Sequence, residues 1–428
     1  MKWILLLMVV TAAGGVVFAD EAVFDRAPIN YSSFTPHDPV AKLQHAIDSG
    51  HVKLAYDAKM GYLPAALKAL NVPVSSQVLV FSKTSFQREL INTHNPRALY
   101  FNDDVYVGFV PGGEVIELAA TDPQNGPIYY TLSQGKQGKP KFNHQIDECL
   151  QCHASSNTND LPGHILRSVY PNSSGMPILS AGSFRTNPSS PLKERWGGWY
   201  VTGTSGAQVH MGNVVSADKD DPEKTDFHAG RNLTDLSSKL DTSAYLSPHS
   251  DIVALMTLEH QTFVHNLITR ASMLTRITMR DAVELNKALG RPKDFRSDST
   301  ISRINNAVEP LLKGMLFSDE TKLTDAIQGT SGFAKEFTTQ GPRDAKGRSL
   351  RDWDLKSRMY KYPLSYLIYS TSFDALPAEA KERFYQRLGE VLSGKDQSKE
   401  FAHLTPEDRT AIKEILLATK KIPAAAGW

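Results

Sequence analysis

The feature that most constrains this chain is the segment Cys149-Leu150-Gln151-Cys152-His153, which holds both cysteines of the 428 residues. Two thiols three residues apart lie on one face of a helical turn. Each can form a thioether to a vinyl group of haem, and the histidine that follows can bind the iron. The spacing therefore predicts one covalently attached haem c, with His153 as the proximal iron ligand.

Three other uses of a cysteine pair fit the sequence less well. A structural zinc site needs four ligands, and the chain has no second pair of cysteines. A redox-active dithiol of the thioredoxin type follows a strand, whereas the segment 143–148 before the pair is polar. A disulfide between residues three apart closes so small a loop that it stabilises little. The haem interpretation is favoured over a dithiol or a disulfide.

The first nineteen residues have the order of a secretory signal peptide. Lys2 supplies the positive charge, the segments 4–10 and 16–18 are apolar, and small residues precede a cleavage site near Ala19. The alternative is a retained N-terminal anchor, although the apolar run is short for a membrane span. Because c-type haem is attached outside the cytoplasmic membrane in bacteria, we expect a periplasmic protein with no stable membrane span after cleavage.

Composition and length further limit the range of possible functions. The formal net charge is +1 and 41% of the residues are hydrophobic. These values predict ordinary cores and give no reason to expect binding to nucleic acid. About 409 residues remain after cleavage, enough for two or three domains. A simple electron carrier needs about one small domain, so most of the chain serves another purpose.

The hydrophobic pattern predicts an α+β fold. Residues 20–135 carry two helices near 38–50 and 63–70 and then short strand-like runs that form an antiparallel meander. Residues 136–247 form an irregular haem-binding region that is rich in Gly, Pro, Ser and Asn. Residues 248–428 are helical. The helices predicted there cover residues 251–277, 281–289, 300–316, 377–392 and 405–419, with a loop over 328–351.

The group that binds the iron on the side opposite His153 determines the function that the haem can have. A histidine or methionine there favours electron transfer, and an open position favours binding of a small molecule. The candidates are His164, Met176, His210, Met211 and His260. We rank His210 first and keep Met211 as its competitor, since neighbours in an extended segment point opposite ways. His260 lies on the apolar stripe of a predicted helix, where a buried histidine with a hydrogen-bond partner is the commoner case.

A second unusual segment runs from Arg195 to Gly203 and contains Trp196 and Trp199 around a glycine pair. Glycines allow close backbone approach and the aromatic rings can pack on a flat group, so we predict that Arg195, Trp196 and Trp199 contact the haem. A core strand with a glycine kink is the alternative. The side chains that can pair with the haem propionates are Arg167, Arg185 and Arg195.

On these residues the chain resembles c-type cytochromes, through Cys149, Cys152 and His153. It also resembles a group of large secreted bacterial proteins described as cytochrome c domain-containing. The segments that carry this second resemblance are 82–85, 96–103, 195–203 and 362–369. The resemblance implies a covalent haem in an extracytoplasmic protein and implies no particular reaction. In small cytochromes c the motif lies near the start of a helical domain, whereas here it follows strand-like segments in mid-chain.

Three functions compete. The first is one-electron transfer through a single haem to periplasmic redox partner proteins. The second is an enzyme with an open distal site that acts on peroxide or a nitrogen oxide, with His210, His260 or an arginine as the acid–base residue. The third is a haem-based sensor whose helical half responds to the ligand state of the iron. Multihaem enzymes need more than one attachment motif, and this chain has one.

Overall fold

The computed structural model describes residues 22–136, 138–422 and 428. The predicted signal peptide, residues 1–19, lies outside the described residues. In the described part, helices and an antiparallel sheet combine as the sequence predicts, and the α+β class is confirmed. The helices are α1 (Pro39–Asp48), α2 (Leu63–Ala69), α3 (Asp147–His153), α4 (Ile252–Ala288), α5 (Asp298–Met315), α6 (Phe333–Thr338), α7 (Thr371–Asp374), α8 (Ala378–Leu392) and α9 (Pro406–Thr419).

The strands form one large sheet and two short ribbons. The strands are β1 (Val78–Val80), β2 (Arg97–Phe101), β3 (Val105–Phe109), β4 (Val115–Asp122), β5 (Gly126–Ser133), β6 (Phe142–His144), β7 (Arg167–Val169), β8 (Ser183–Arg185), β9 (Trp199–Tyr200), β10 (Gly203–Thr204) and β11 (Gln328–Gly329). The sheet has the order β6-β5-β4-β3-β2-β1-β9, and the ribbons pair β7 with β8 and β10 with β11.

The sheet crosses the boundary that the sequence places between residues 135 and 136. Strands β1 to β5 precede the boundary, whereas β6 and β9 follow it. The β9 strand pairs antiparallel with β1, with Val80 opposite Trp199. The segment after the cysteine motif therefore supplies β9, the edge strand of the sheet next to β1.

Each face of the sheet packs on a different layer because side chains alternate along a strand. One face presents residues such as Tyr100 and Leu118 to α1 and α2, in a core that includes Val40 and Leu63. The opposite face presents Phe101 and others to α4 and the helical half. The site described below lies on this second face.

The long helix α4 positions the helical half against the sheet. Its first turn is capped by the Asp251 carboxylate, which accepts the backbone N–H groups of Val253 and Ala254. The helix spans 37 residues without interruption. The predicted break between Ile277 and Asp281 is therefore wrong. At the predicted break, Asp281 pairs with Arg303 of α5 at 2.9 Å.

The other helix predictions agree with the structure to within a few residues. Asp38 caps α1 through two backbone N–H groups, and Thr405 with Asp408 forms a capping box at α9. The predicted loop over 328–351 also contains α6 and the short strand β11. In the described part of the chain, no helix combines the length and the apolar content that crossing a membrane requires.

Candidate haem-attachment site

Both cysteines of the motif lie on the short helix α3 and both are free thiols. Cys149 is half-buried and Cys152 is exposed. Burial raises the pKa of Cys149 to about 11, with a further rise from the negative charge of Glu117. The helix thus presents two thiols three residues apart, one against the protein and one toward solvent.

The imidazole of His153, the last residue of α3, is held by a single hydrogen bond. Its Nδ1 lies 2.9 Å from the carbonyl oxygen of Gly163. Because a carbonyl only accepts, Nδ1 carries the proton and Nε2 keeps its lone pair. Burial lowers the pKa of His153, so the ring is neutral at neutral pH. An imidazole oriented in this way through its far nitrogen is the usual arrangement of a metal-binding histidine.

Two further contacts fix the position of His153. The Tyr129 ring lies 4.7 Å from the imidazole, centroid to centroid, and its hydroxyl donates to the same Gly163 carbonyl at 2.6 Å. The loop after the motif closes back on the helix, since the Gly163 N–H donates to the His153 carbonyl at 2.8 Å. The sheet and the loop together hold the ring in one orientation.

Helix α4 holds the end of this loop through two hydrogen bonds. The side-chain amide of Asn266 accepts the His164 N–H at 2.7 Å and donates to the His164 carbonyl at 2.8 Å. The His164 ring packs on Tyr106 at 4.5 Å, and the Tyr106 hydroxyl lies 2.9 Å from Nδ1 of His265. The motif loop is therefore tied both to the sheet and to the helical half.

The position of His164 matters because His164 is one of the candidates for the iron ligand opposite His153. Its neighbour Gly163 accepts a hydrogen bond from Nδ1 of His153. The His164 ring itself is buried, and its Nε2 has no hydrogen-bond partner among the described residues. Burial lowers its pKa well below the ordinary value, with smaller contributions from His265 and His153.

His210 and Met211 lie beside the Trp196 segment. Nδ1 of His210 accepts the Gly212 N–H at 3.1 Å, and its ring lies 5.3 Å from Trp196. The sulfur of Met211 lies 3.5 Å from the Ser168 hydroxyl, which donates to it. Both side chains are buried, and burial lowers the pKa of His210 to about 4. Each is thus engaged in local protein packing.

The remaining two ligand candidates are His260 and Met176. His260 is fully buried in the helical half, where Nε2 lies 2.8 Å from the Ser365 hydroxyl and the ring stacks on Phe317 at 4.4 Å. This is the core histidine that the sequence indicates as the commoner case. Met176 is 47% exposed on the loop between β7 and β8.

The segment around Trp196 is packed by protein atoms. Trp196 and Trp199 are buried, and the Trp199 indole donates to the Arg167 carbonyl at 2.8 Å. Gly197 approaches β7 so closely that a Cβ would lie 2.1 Å from the Val169 carbonyl oxygen. Here the glycine accommodates a neighbouring strand.

The three arginines proposed for the propionates have different surroundings. Arg195 is buried, pairs with Glu259 at 3.2 Å and donates to the carbonyls of Pro188 and Ser190. Arg167 and Arg185 lie directly opposite each other on β7 and β8. Two like charges in this position repel each other unless an anion lies between them, so this pair is suited to a carboxylate.

Sequence reasoning missed several residues that surround the motif. Gly163, Tyr129 and Asn266 orient His153 and its loop, while Arg97 and Glu117 form an ion pair of 2.6 Å on the adjoining sheet face. One signal is present in the sequence: Glu117 is a lone charge in the strand-like run 115–118. Two open cavities among the described residues, of about 360 Å³ near Arg276 and about 260 Å³ near Trp428, are not lined by motif residues.

Comparisons of the chain with protein-family models, curated proteins and solved structures gave no match. The geometry around α3 is therefore the basis for a functional assignment.

Proposed function

We propose that this protein carries one haem c, attached through Cys149 and Cys152 with His153 as the proximal ligand, and that it transfers single electrons in the periplasm. The hydrogen bond from His153 Nδ1 to the Gly163 carbonyl carries the proposal. It selects the tautomer in which Nε2 is the ligand atom, and it does so on the residue that the attachment motif requires. The bound haem supplies reversible one-electron chemistry at its iron.

The residues of the protein orient the imidazole of His153 and the loop that follows it. Tyr129 and the Gly163 carbonyl hold the imidazole, and Asn266 fastens the loop to α4. A ligand held in one orientation by packed neighbours changes little between two oxidation states, which suits electron transfer. The exposed Cys152 indicates that one edge of the haem faces solvent, where periplasmic redox partner proteins can approach.

The opposite pair Arg167 and Arg185 suits the haem propionates. Arg185 also donates to the Asn157 carbonyl at 2.8 Å, in the loop that follows the motif. Guanidinium groups pair with carboxylates in fixed geometry. Arg195 is left out of this assignment because Glu259 already pairs with it.

A second function is favoured by the surroundings of the ligand candidates. His210, Met211 and His260 each form hydrogen bonds to other groups of the protein. An iron with no protein ligand opposite His153 binds small molecules. On this observation, an enzyme acting on a small oxidant, or a haem-based sensor, is the second candidate.

Optical spectra of the purified ferric and ferrous protein, with and without carbon monoxide, test these proposals. A low-spin spectrum that carbon monoxide leaves unchanged supports the electron carrier and contradicts the second candidate. A high-spin spectrum with rapid carbon monoxide binding supports the second candidate and contradicts the simple carrier. Absence of covalently bound haem contradicts both.

A further inference from the structure

The connection between α4 and α5 exposes large hydrophobic side chains. The described part of the chain has twelve such exposed residues, and four of them lie within residues 285–301. They are Leu285 at 51% exposed, Leu289 at 53%, Phe295 at 43% and Ile301 at 47%. Single exposed apolar residues are normal on a protein surface, whereas a concentration of them marks a contact surface. These four residues, the α4–α5 tip, are therefore a candidate contact surface.

Hydrogen bonds hold the connection against the end of α4. Leu285 and Leu289 are four residues apart and so share a face of the helix. The buried side-chain amide of Asn286 donates to the Phe295 carbonyl at 2.9 Å. The Arg291 N–H donates to the Asn286 carbonyl at 2.8 Å. The backbone at Phe295 is thus fixed on the last turn of α4, which carries both leucines.

The connection projects from the protein surface. Every residue from Lys287 to Phe295 is exposed. A site for a small molecule is usually concave, and the cavities near Arg276 and Trp428 are lined by other residues. The α4–α5 tip is therefore suited to enter a flat and deformable surface.

Basic side chains accompany the apolar ones. Within residues 287–295, Lys287, Arg291 and Lys293 are basic, and Asp294 is acidic. The Arg291 guanidinium lies 5.1 Å from the centre of the Phe295 ring. Lysine and arginine lay their stems along apolar surface while their charges reach into a polar layer. Exposed apolar side chains among basic ones are typical of a segment that lies at the surface of an anionic bilayer.

We propose that the α4–α5 tip docks on the surface of a bilayer that contains anionic phospholipids. Leu289 and Phe295 enter the boundary between headgroups and acyl chains, and the basic side chains beside them pair with lipid phosphates. The docking does not depend on the haem, so it adds a membrane contact to the proposed electron transfer.

Co-sedimentation of the full mature chain with lipid vesicles tests the proposal. One set of vesicles is phosphatidylcholine alone, and in the other about one third of the lipid is phosphatidylglycerol. We expect an affinity at least about tenfold higher for the anionic vesicles, because each basic residue near an anionic surface contributes roughly fivefold. The affinity for these vesicles should fall as salt is added, since salt screens the attraction.

A leucine variant tests the apolar contact. Leu289→Ser should lower the affinity for the anionic vesicles by about tenfold, because a buried leucine side chain is lost from the bilayer. The matched control is Leu417→Ser, at a side chain that is 55% exposed on α9. That control should change the affinity by less than about twofold.

A lysine variant tests the charge. Lys287→Glu with Lys293→Glu should lower the affinity for the anionic vesicles by at least about tenfold. Lys68→Glu with Lys239→Glu changes the net charge equally, at lysines that are exposed elsewhere on the chain. This control should lower the affinity by less than about threefold, because attraction from charges far from the bilayer is screened.

A fluorescent reporter keeps the test decisive if Leu289→Ser does not fold. No native tryptophan lies in residues 285–301, so Phe295→Trp adds one at the tip. Its emission should shift to shorter wavelength, relative to the wild type, when anionic vesicles are added. Bound protein without that shift overturns the proposal.

Three further results overturn it. The first is a wild-type chain that binds neither kind of vesicle, or binds both equally. The second is a pair of tip variants that match their controls. The third is a wild-type dimer in solution that Leu289→Ser converts to a monomer, which would make the α4–α5 tip an interface between copies of this chain.

Discussion

Two histidines, one on the motif helix and one in the helical half, differ in which ring nitrogen forms a hydrogen bond with the protein. His153 donates from Nδ1 to the Gly163 carbonyl, so Nε2 carries the lone pair that the proposed haem site requires. His260 is bonded through Nε2 to Ser365 and stacks on Phe317. Burial lowers the pKa of both. The nitrogen that forms the hydrogen bond, together with the residues nearby, distinguishes the two rings, whereas the direction of the pKa shift does not.

The comparison extends to the surroundings of the two rings. Around His153 lie the half-buried thiol of Cys149 and the ion pair of Arg97 with Glu117. Around His260 lie Phe317, Tyr360 and Tyr366 in an aromatic cluster. The first region retains polar groups that packing alone does not require, and the second is a hydrophobic core. This difference supports the haem site that we propose in the first region, whereas the second region belongs to the hydrophobic core.

The largest expected effect is the loss of haem on replacing both thiols. The double variant Cys149→Ser with Cys152→Ser should contain no covalently bound haem, because no thioether can form. His260→Gln should keep the full haem content of the wild type. Haem content is measured by absorption after denaturation in alkaline pyridine. An equal loss of haem in His260→Gln would contradict the placement of His260 in the core.

The next largest effect concerns the buried pair of Arg195 and Glu259, which we place in the core and not at the haem. Glu259→Ala should lower the free energy of unfolding by about 3–5 kcal/mol, because it leaves a buried guanidinium without its partner. The haem content per folded chain should stay unchanged. Denaturant titration measures the change.

A surface pair provides the control for that variant. Glu379→Ala breaks the contact with Arg296, whose side chain is 29% exposed, and should cost about 0–1 kcal/mol. If Glu259→Ala cost no more than the control, or removed haem from a folded protein, Arg195 would belong to the haem site after all.

Much of the fold follows from local sequence, and the site depends on long-range pairing. The cap at Asp38 and the alternation along β4 are local signals, and the structure confirms the elements they predict. The contact of His153 with Gly163 requires a loop closure, and that of Arg97 with Glu117 requires the register of three strands. Spacing along the chain does not contain that information.

The wrongly predicted helix break also shows that local sequence does not contain long-range contacts. The apolar stripe of α4 weakens after Ile277, which favours an end there, yet the helix continues to Ala288. Arg280 and Arg303 both pair with Asp281, and the contact with Arg303 forms only when α5 lies alongside. The contact with α5 is a long-range feature that the pattern along α4 does not contain.

A smaller effect is the pH dependence that His260 contributes. Its pKa is lowered by burial to about 3 in the folded state, against about 6.5 in the unfolded chain. The stability it contributes is therefore complete above pH 6.5 and is lost as the pH falls, since the unfolded chain takes up the proton first. Between pH 7 and 4.5, His260→Gln should lose about 2–3 kcal/mol less stability than the wild type.

Denaturant titrations at the two pH values measure that difference. His45, exposed on α1, provides the control position for His45→Gln. An equal pH slope in the wild type and the His260→Gln variant would show that His260 takes up a proton as readily in the folded protein as in the unfolded chain.

The smallest expected effect is that of Met211→Leu. The Met211 sulfur accepts the Ser168 hydroxyl within a packed core, so a side chain of similar volume should change the free energy of unfolding by less than about 1.5 kcal/mol. The absorption spectra of the oxidised and reduced protein should not change. A shift from a low-spin to a high-spin spectrum would identify Met211 as an iron ligand.

The most direct test of the account is the mass of the intact protein after purification from the periplasm of a host that attaches c-type haem. The account predicts a mature chain whose mass is increased by one haem, and the increase persists after acidic acetone extraction. In the double cysteine variant the same chain should have its unmodified mass. A wild-type chain of unmodified mass, or a haem that extraction removes, would contradict the assignment of Cys149, Cys152 and His153.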